Sequence, residues 1–390
     1  MAAVADVTSA QQRRLMNLQL VALTAGLAIC AHDGVRAQSP GQPEKVSLSV
    51  RGLHYADEQD DARRITVRGL ATQFVAPVAD AWSIELGHVV DVISGASPAF
   101  YSNAASSARI EDRRTAVDAK LGFHADRHQL WYRASDSRET DFVAKGHALG
   151  LTTASSDRNT TFDMAYSLSS DRIDPVNGVV ANARKHTREW LLGVTQVVNP
   201  TNIVQFQLTH VDASGYLSDP YKLFDRRPDH KRARAIALRW NRLDINSNWT
   251  TRVGLRLTSD DQQLRSTTLQ FEASRPFGDG WVITPSLRFY SQSSAAYYSA
   301  PDPRRPDLPH FPSDFNPDRS FVSFDQRLAP FGALTIGIKL ARQITANFAF
   351  DVKWERYRQR SQWTTYGRQT PLSDLGASYL QIGIQWQFDR

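Results

Sequence analysis

The stretch YLQIGIQWQF at residues 379–388 decides the fold class. Glycine and glutamine alternate there with five apolar side chains: Leu380, Ile382, Ile384, Trp386 and Phe388. A period of two residues places alternate side chains on opposite faces of a β-strand, whereas an amphipathic helix repeats about every 3.6 residues. The segment therefore predicts a strand with one apolar face and one polar face.

The same alternation recurs along the rest of the chain. We predict sixteen strands, at 46–55, 65–76, 81–92, 113–124, 128–136, 142–153, 160–170, 186–198, 202–212, 233–243, 249–259, 264–274, 281–292, 324–341, 347–360 and 376–388. Short turns follow the even-numbered strands, and mostly longer loops follow the odd-numbered ones. The longer loops lie at 56–64, 93–112, 171–185, 213–232, 293–323 and 361–375. This alternation is typical of a transmembrane barrel with short periplasmic turns and long external loops.

A soluble sandwich or propeller would also contain alternating strands, but its apolar face would pack into a core. Two features favour the membrane. Five tryptophans lie near the predicted periplasmic ends of strands and share the parity of the apolar residues: Trp82, Trp240, Trp249, Trp281 and Trp386. Such an aromatic belt is typical of a membrane interface. No repeat of about 40 residues marks the blades of a propeller. We therefore predict an all-β, antiparallel transmembrane barrel of about sixteen strands.

Composition narrows the alternatives further. Hydrophobic residues make up 41% of the 390 residues and charged residues 22%, which argues against wholesale disorder. A mean hydropathy of −0.42 excludes a polytopic helical membrane protein. The net charge of +6 arises from 46 basic and 40 acidic side chains without a lysine or arginine stripe. We therefore expect no nucleic-acid partner.

The N-terminal segment predicts export. Two arginines precede a mostly apolar stretch at 15–31, which is followed by a small-x-small cleavage site ending at Ala37. We predict a signal peptide at residues 1–37 and one barrel domain at residues 38–390, located in the bacterial outer membrane. A membrane anchor is disfavoured because the apolar run is too short to span. The single cysteine, Cys30, lies in this segment, so we expect no disulfide and no thiolate metal site in the mature chain.

Several motifs occur in the same order as in one bacterial family. They are DVISGASP at 91–98, SRETDF at 137–142, RNTTF at 158–162, NPTNIVQFQLT at 199–209, SGYLSDPYK at 214–222, GDGWVITPSLRFYSQSSAAYY at 278–298 and FDQRLAPFGALTIGIKL at 324–340. On these motifs the chain resembles the bacterial outer-membrane β-barrel proteins called domain of unknown function 3570. The resemblance implies the barrel fold and the outer-membrane location. Through the proteins that accompany the family, it also implies a small lipoprotein or a redox-maturation factor as a partner.

The polar face of the strands is expected to line the barrel lumen. It carries seven basic side chains, Lys120, Arg239, Arg252, Arg256, Arg288, Lys339 and Lys353, and seven acidic ones, Glu85, Asp118, Asp163, Glu189, Glu272, Asp351 and Glu355. Either these charges pair and fill the interior, or they form a selectivity lining for a polar or charged solute. The candidate lining residues are Arg252, Arg256, Arg288, Lys339, Glu85, Asp118, Asp351 and Glu355. Of these, Arg252, Arg256 and Arg288 are expected to form an anion-attracting patch.

Catalytic signatures are mostly absent, and we predict that the protein is not an enzyme. There is no G-x-S-x-G elbow, no H-E-x-x-H motif and no phosphate-binding glycine loop. The nearest approach to a hydrolase site is His88, Asp91, Ser94 and Ser97, a set that is more typical of a turn. We predict no cofactor and no metal. The acidic segment 57–61 is more typical of a solvated loop than of a divalent-cation site.

The connection at 293–323 is unusual because it holds six prolines: Pro301, Pro303, Pro306, Pro309, Pro312 and Pro317. Prolines stiffen the chain and remove hydrogen-bond donors, so we predict neither strand nor helix here. The loop either folds inward as a constriction that includes Arg304 and Arg305, stands outward as a docking surface, or is a passive external loop. In the first case, deleting residues 301–317 should raise single-channel conductance while the barrel stays folded.

The leading functional prediction is a channel or a binding protein for a small polar solute. The alternative is a surface interaction or assembly protein that works with a lipoprotein or a redox-maturation factor. In either case we expect contact with outer-membrane lipids. During biogenesis we expect the barrel-assembly machinery to recognise the terminal strand that ends at the aromatic Phe388.

Overall fold

The computed structural model describes residues 41–59, 62–95, 110–222, 224–300, 311, 313–316 and 320–389. Sixteen antiparallel strands form one closed barrel. They are β1 Val46–Gln59, β2 Ala62–Val78, β3 Trp82–Gly95, β4 Ile110–Ala125, β5 His128–Arg138, β6 Phe142–Ala154, β7 Thr160–Ile173, β8 Ala183–Asn199, β9 Asn202–Gly215, β10 His230–Asp244, β11 Trp249–Asp260, β12 Arg265–Phe277, β13 Trp281–Gln292, β14 Phe331–Thr345, β15 Phe348–Arg360 and β16 Leu375–Phe388. Each strand pairs with its neighbours in sequence, and β1 closes the ring by pairing with β16. No helix among the described residues is long and apolar enough to cross a membrane.

All sixteen predicted strands are present, and two details of the prediction are wrong. The predicted loop at 56–64 is not a long loop, because β1 and β2 continue as a hairpin to Gln59 and Ala62. The predicted strand at 324–341 begins only at Phe331. Before it, Gln326–Leu328 form one turn of 3-10 helix, because the Asp325 side chain accepts a hydrogen bond from the backbone N–H of Arg327 and bends the chain. The predicted signal peptide lies outside the described residues.

The two faces of the sheet differ in polarity. Large apolar side chains such as Leu121, Leu238 and Ile382 are 45–50% exposed and point away from the barrel axis. The opposite parity carries glycine, polar and charged residues that point inward. The outer surface is therefore an apolar wall, as expected where strands contact lipid.

The two ends of the barrel also differ. We call the end where each even-numbered strand turns into the next odd-numbered strand, as β2 into β3, the turn end. The opposite end is the loop end. At the turn end, Trp249 and Trp281 are the first residues of β11 and β13. The guanidinium of Arg275 lies 5.7 Å from the Trp249 ring centroid, and that of Arg342 lies 5.1 Å from the Trp281 ring centroid. This combination of aromatic rings and cations is typical of a membrane interface.

Candidate functional site

One wall of the barrel interior carries a paired set of charges. Glu85 on β3 contacts Lys120 on β4 at 3.6 Å and Arg133 on β5 at 3.0 Å. The same Arg133 lies 3.6 Å from Asp118 on β4. Two predicted residues, Glu85 and Asp118, thus meet through Arg133, which sequence reasoning missed. Its signal was present, because Leu130, Tyr132 and Ala134 alternate with it along β5.

The other predicted charges are distributed around the barrel. Lys353 contacts Glu355 at 3.2 Å on β15. Lys339 lies opposite Lys353 in the β14–β15 ladder. Asp351 lies against β16, where a Cβ added at Gly383 would stand 2.6 Å from its Oδ2. These side chains share the inward face but do not form one cluster.

The wall formed by β10 to β13 has an excess of positive charge. Arg252 is 3.4 Å from Glu272, so it is paired. Arg239, Arg256 and Arg288 share the inward parity, and none of them forms an ion pair within 4.0 Å among the described residues. Both Arg239 and Arg256 are exposed. The unpaired charges therefore differ from the predicted patch of Arg252, Arg256 and Arg288. Arg252 is neutralised by Glu272, and Arg239 takes its place as an unpaired charge. We call Arg239, Arg256 and Arg288 the basic wall.

Two connections fold over the loop end. The β9–β10 connection, 216–229, pairs with the β13–β14 connection, 293–330, through backbone hydrogen bonds of 2.8 and 3.0 Å between Arg226 and Val322. Val322 and Phe324 are 3% and 2% exposed, and Phe311 and Phe315 pack against them. We call the described residues of these two connections the loop plug. A small apolar core thus gives the plug its own structure.

Buried ion pairs join the two halves of the plug. Arg227 contacts Asp225 at 2.9 Å and Asp325 at 2.8 Å. Arg327 contacts Asp219 at 2.6 Å and also binds Asp325. Asp325 is 1% exposed and receives both guanidinium groups. We call Asp219, Asp225, Arg227, Asp325 and Arg327 the plug ion cluster.

The pKa of Asp325 reflects its position in this cluster. Burial alone would raise that pKa, but the neighbouring Arg327, Lys222 and Arg227 outweigh burial and hold it well below its ordinary value. Burial lowers the pKa of Lys222 despite the carboxylates nearby. Burial, with the carboxylates of Asp225 and Asp219, raises the pKa of Tyr216 to about 12. The central carboxylate of the plug is therefore charged at neutral pH.

The plug is tied to distant parts of the barrel wall. Gln59 at the end of β1 donates a 3.0 Å hydrogen bond from Nε2 to Oε1 of Gln326. On another side, the Tyr221 hydroxyl donates a 2.8 Å hydrogen bond to Oδ2 of Asp141, in the β5–β6 connection. Gln292 holds the backbone oxygens of Arg327 and Ala329 at 2.9 and 2.7 Å. The β9–β10 connection and residues 326–329 of the β13–β14 connection are therefore fixed to the wall at three separate points. Arg304 and Arg305 lie outside the described residues, so their role as a constriction stays a prediction.

A family model described as protein of unknown function (DUF3570) matches residues 179–383. The chain belongs to this family. The matched region of the DUF3570 protein contains the basic wall and the loop plug. The family prediction made from the motifs is thereby confirmed.

One solved structure supports the same fold for this DUF3570 protein, and others are less similar. A structure entitled bacterial polysaccharide outer membrane secretin has a TM-score of 0.53 at 10% identity, covering 88% of this chain and 99% of that chain. OccAB3 of Acinetobacter baumannii has a TM-score of 0.45 at 9% identity, with 88% and 99% covered. OccK9 of Pseudomonas aeruginosa has a TM-score of 0.44 at 10% identity, with 88% and 98% covered. The likeness to the first of these shows the barrel fold alone. No curated protein sequence matches the chain significantly.

Two other sets of residues considered from the sequence do not form sites in the DUF3570 protein. His88 shares the outward parity with Leu86, whereas Asp91 points inward and binds Arg114 at 3.1 Å, so they cannot act together. Asp57 points inward and accepts a 3.0 Å hydrogen bond from the backbone N–H of Ile65, whereas Glu58 points outward. Ser97, Asp60 and Asp61 lie outside the described residues.

The outward face near the loop end is rich in arginine. Six exposed arginines lie on five strands, two of them on β2 and one each on β4, β8, β10 and β15: Arg63, Arg68, Arg113, Arg188, Arg234 and Arg358. We call them the outer basic belt. All lie on the outward face with the apolar side chains, Arg63 because a β-bulge brings it opposite the outward Glu58, so they stand where the apolar wall ends. Anionic headgroups are the matching surface for such a belt.

Proposed function

We propose that this DUF3570 protein is an outer-membrane channel for small anionic solutes, with its loop end held closed by the loop plug. The observation that carries the proposal is the basic wall. Inside a barrel, unpaired arginines raise the local concentration of anions, because the low-dielectric wall focuses their field. A barrel of about sixteen strands leaves an aqueous channel unless side chains or loops fill it.

The outer basic belt indicates which end of the barrel faces the outside of the cell. Arginines at the rim of the apolar wall attract phosphate-bearing lipid headgroups, at about 1 kcal/mol for each residue near the surface. We propose that the loop end faces the outside, where the belt contacts anionic lipid of the outer leaflet. The turn end, with its aromatic rings, then faces the periplasm.

The proposal is tested by ion selectivity in planar bilayers. Reversal potentials under a salt gradient should show a preference for anions in the parent protein. A variant with Arg239→Ala, Arg256→Ala and Arg288→Ala should lose most of that preference. Arg234→Ala is the matched control, because Arg234 lies on the same strand as Arg239 but points outward. A cation-selective parent, or equal selectivity in the parent and the triple variant, would contradict the proposal.

A surface interaction role is the second candidate, and one observation favours it. Phe224, Phe321 and Val179 are 51%, 49% and 58% exposed at the loop end. The β7–β8 and β9–β10 connections are held together there, because Asn177 donates a 2.8 Å hydrogen bond to the backbone oxygen of Pro220. Apolar side chains gathered on external loops are typical of a protein-binding surface.

A photo-crosslinking residue distinguishes this second role. Placed at Val179, it should capture a lipoprotein in cells if the surface docks one. Placed at Val198, which is 59% exposed near the turn end, it should capture none. Equal labelling at both positions would count against a specific docking surface.

A further inference from the structure

Three buried carboxylates meet at the loop end. Asp112 lies near the start of β4, and Glu139 and Asp141 lie in the three-residue connection between β5 and β6. One carboxylate oxygen from each lies within 4.8 Å of the other two. The three residues are 7%, 9% and 6% exposed. We call them the acidic trio.

Two oxygens of the trio are buried without a hydrogen-bond partner among the described residues: Oε2 of Glu139 and Oδ2 of Asp112. Burying a carboxylate oxygen without a partner costs free energy, because its hydrogen bonds to water are lost and not replaced. The other oxygen of Asp112 is held by the Arg113 backbone N–H at 2.8 Å and by the Thr140 hydroxyl at 2.9 Å. The Asp112 carboxylate is therefore oriented while its second oxygen stays available for a ligand.

The charge around the trio is also unbalanced. Arg114 is the cation that acts most strongly on Glu139, and it already binds Asp91 at 3.1 Å. Burial, with the repulsion from Asp112 and Asp141, raises the pKa of Glu139 to about 8, although Arg114 opposes that shift. Glu139 is thus repelled by three carboxylates, those of Asp91, Asp112 and Asp141, and attracted by the guanidinium of Arg114. A bound divalent cation would remove most of the excess negative charge.

We propose that Asp112, Glu139 and Asp141 bind a divalent cation, and that calcium fits them best. Three carboxylates are a hard, all-oxygen ligand set, which excludes metals that prefer sulfur or imidazole. Calcium takes oxygen ligands at 2.3–2.6 Å, so that oxygens on opposite sides of the ion stand up to roughly 5 Å apart. Magnesium needs a tighter octahedron at about 2.0–2.1 Å.

The site connects to the loop plug through Asp141. The Tyr221 hydroxyl, on the β9–β10 connection, donates to Oδ2 of Asp141. Tyr221 is 5% exposed and lies two residues from Asp219 of the plug ion cluster. A cation that fixes the β5–β6 connection would therefore also fix the point where the plug meets this side of the wall. The site itself does not depend on the proposed channel function.

The proposal is tested by titrating calcium chloride into the full-length protein in detergent, after treatment with a chelator and refolding without lipid. Calorimetry should show one calcium per chain.

Glu139→Gln should lower the calcium affinity about 10-fold or more, because it removes one of the three carboxylate ligands. Glu58→Gln is the control, because Glu58 points outward and binds Arg356. If Glu139→Gln fails to fold, the calcium affinity of Asp112→Asn decides the question in its place, with the same loss expected. No binding, or equal affinity in the parent and Glu139→Gln, would overturn the proposal. Because the measurement is calorimetric, its failure is separate from a failure of the channel proposal.

Discussion

Replacing Asp325 with asparagine should loosen the loop plug and leave the barrel intact. Asparagine keeps the size of the side chain and can still accept the hydrogen bond from the Arg327 backbone. It loses the charge that both Arg227 and Arg327 contact. Because Asp325 belongs to the β13–β14 connection and not to a strand, the hydrogen bonds of the barrel wall are unaffected.

The size of the effect follows from burial. Removing one partner from a buried ion pair costs about 3–5 kcal/mol. Asp219 and Asp225 remain beside the two arginines, so we expect the lower end, about 3 kcal/mol. Since every 1.4 kcal/mol is a factor of ten, the equilibrium constant for plug opening should rise roughly 100-fold.

Single-channel recording measures this change. The Asp325→Asn variant should spend a far larger fraction of time in a conducting state, while its heat-dependent gel mobility remains that of a folded barrel. Asp389→Asn is the matched control. Its carboxylate lies 2.8 Å from Lys45, but the two side chains are 76% and 41% exposed, so the loss should be below about 1 kcal/mol. A folded Asp325→Asn variant with the open probability of the parent would refute the view that the plug ion cluster holds the mouth closed.

Three other predictions follow from the wall and the plug. Gly150→Val should lower the free energy of unfolding, measured by urea titration, by about 1–3 kcal/mol, because an added Cβ overlaps the Trp131 ring. Gly52→Val should have little effect, since nothing lies within 4 Å of its added Cβ. Phe388→Ala should lower the amount of protein in the outer membrane at native expression, measured by fractionation, because it truncates the terminal aromatic of β16; unchanged levels would remove this role. Because the pKa of Asp325 is lowered, its stabilising charge is fully present above the ordinary pKa of 3.8 and is lost only below it. Conductance should therefore stay low from pH 8 to pH 5. Opening within that range would contradict the role of Asp325 in holding the plug.

The barrel could be predicted from the sequence because its determinants are local. Alternation identifies each strand without knowledge of its partner, and the two-residue turn between β4 and β5 fixes the register of that pair. Thr115 pairs with Arg138 in this register. Continuing it by three residues places Asp112 opposite Asp141, so the acidic trio was also within reach of the sequence.

The plug could not be predicted in the same way. Its hydrogen bonds join residues far apart in the chain, such as Tyr221 to Asp141 and Gln59 to Gln326, which are 80 and 267 residues apart. The connections that make these contacts lack a regular alternation of apolar and polar residues, so the sequence does not indicate which way their side chains point. The start of β14 was missed for a related reason, because the hydrogen bond that the Asp325 side chain accepts from the backbone N–H of Arg327 competes with strand pairing.

The pairing of β1 with β16, which we call the seam, means that the order of strands along the chain could be altered without changing the barrel. Val46 pairs with Phe388, and Lys45 contacts Asp389 at 2.8 Å, so the two edges of the seam meet side by side at the turn end. Every other neighbouring pair of strands is already joined by a connection. A few residues linking 389 to 45 would turn the chain into a ring without moving a strand. Such a ring could be cut at the β1–β2 hairpin and still contain every strand pair of the barrel, so the wall does not require any particular strand to come first.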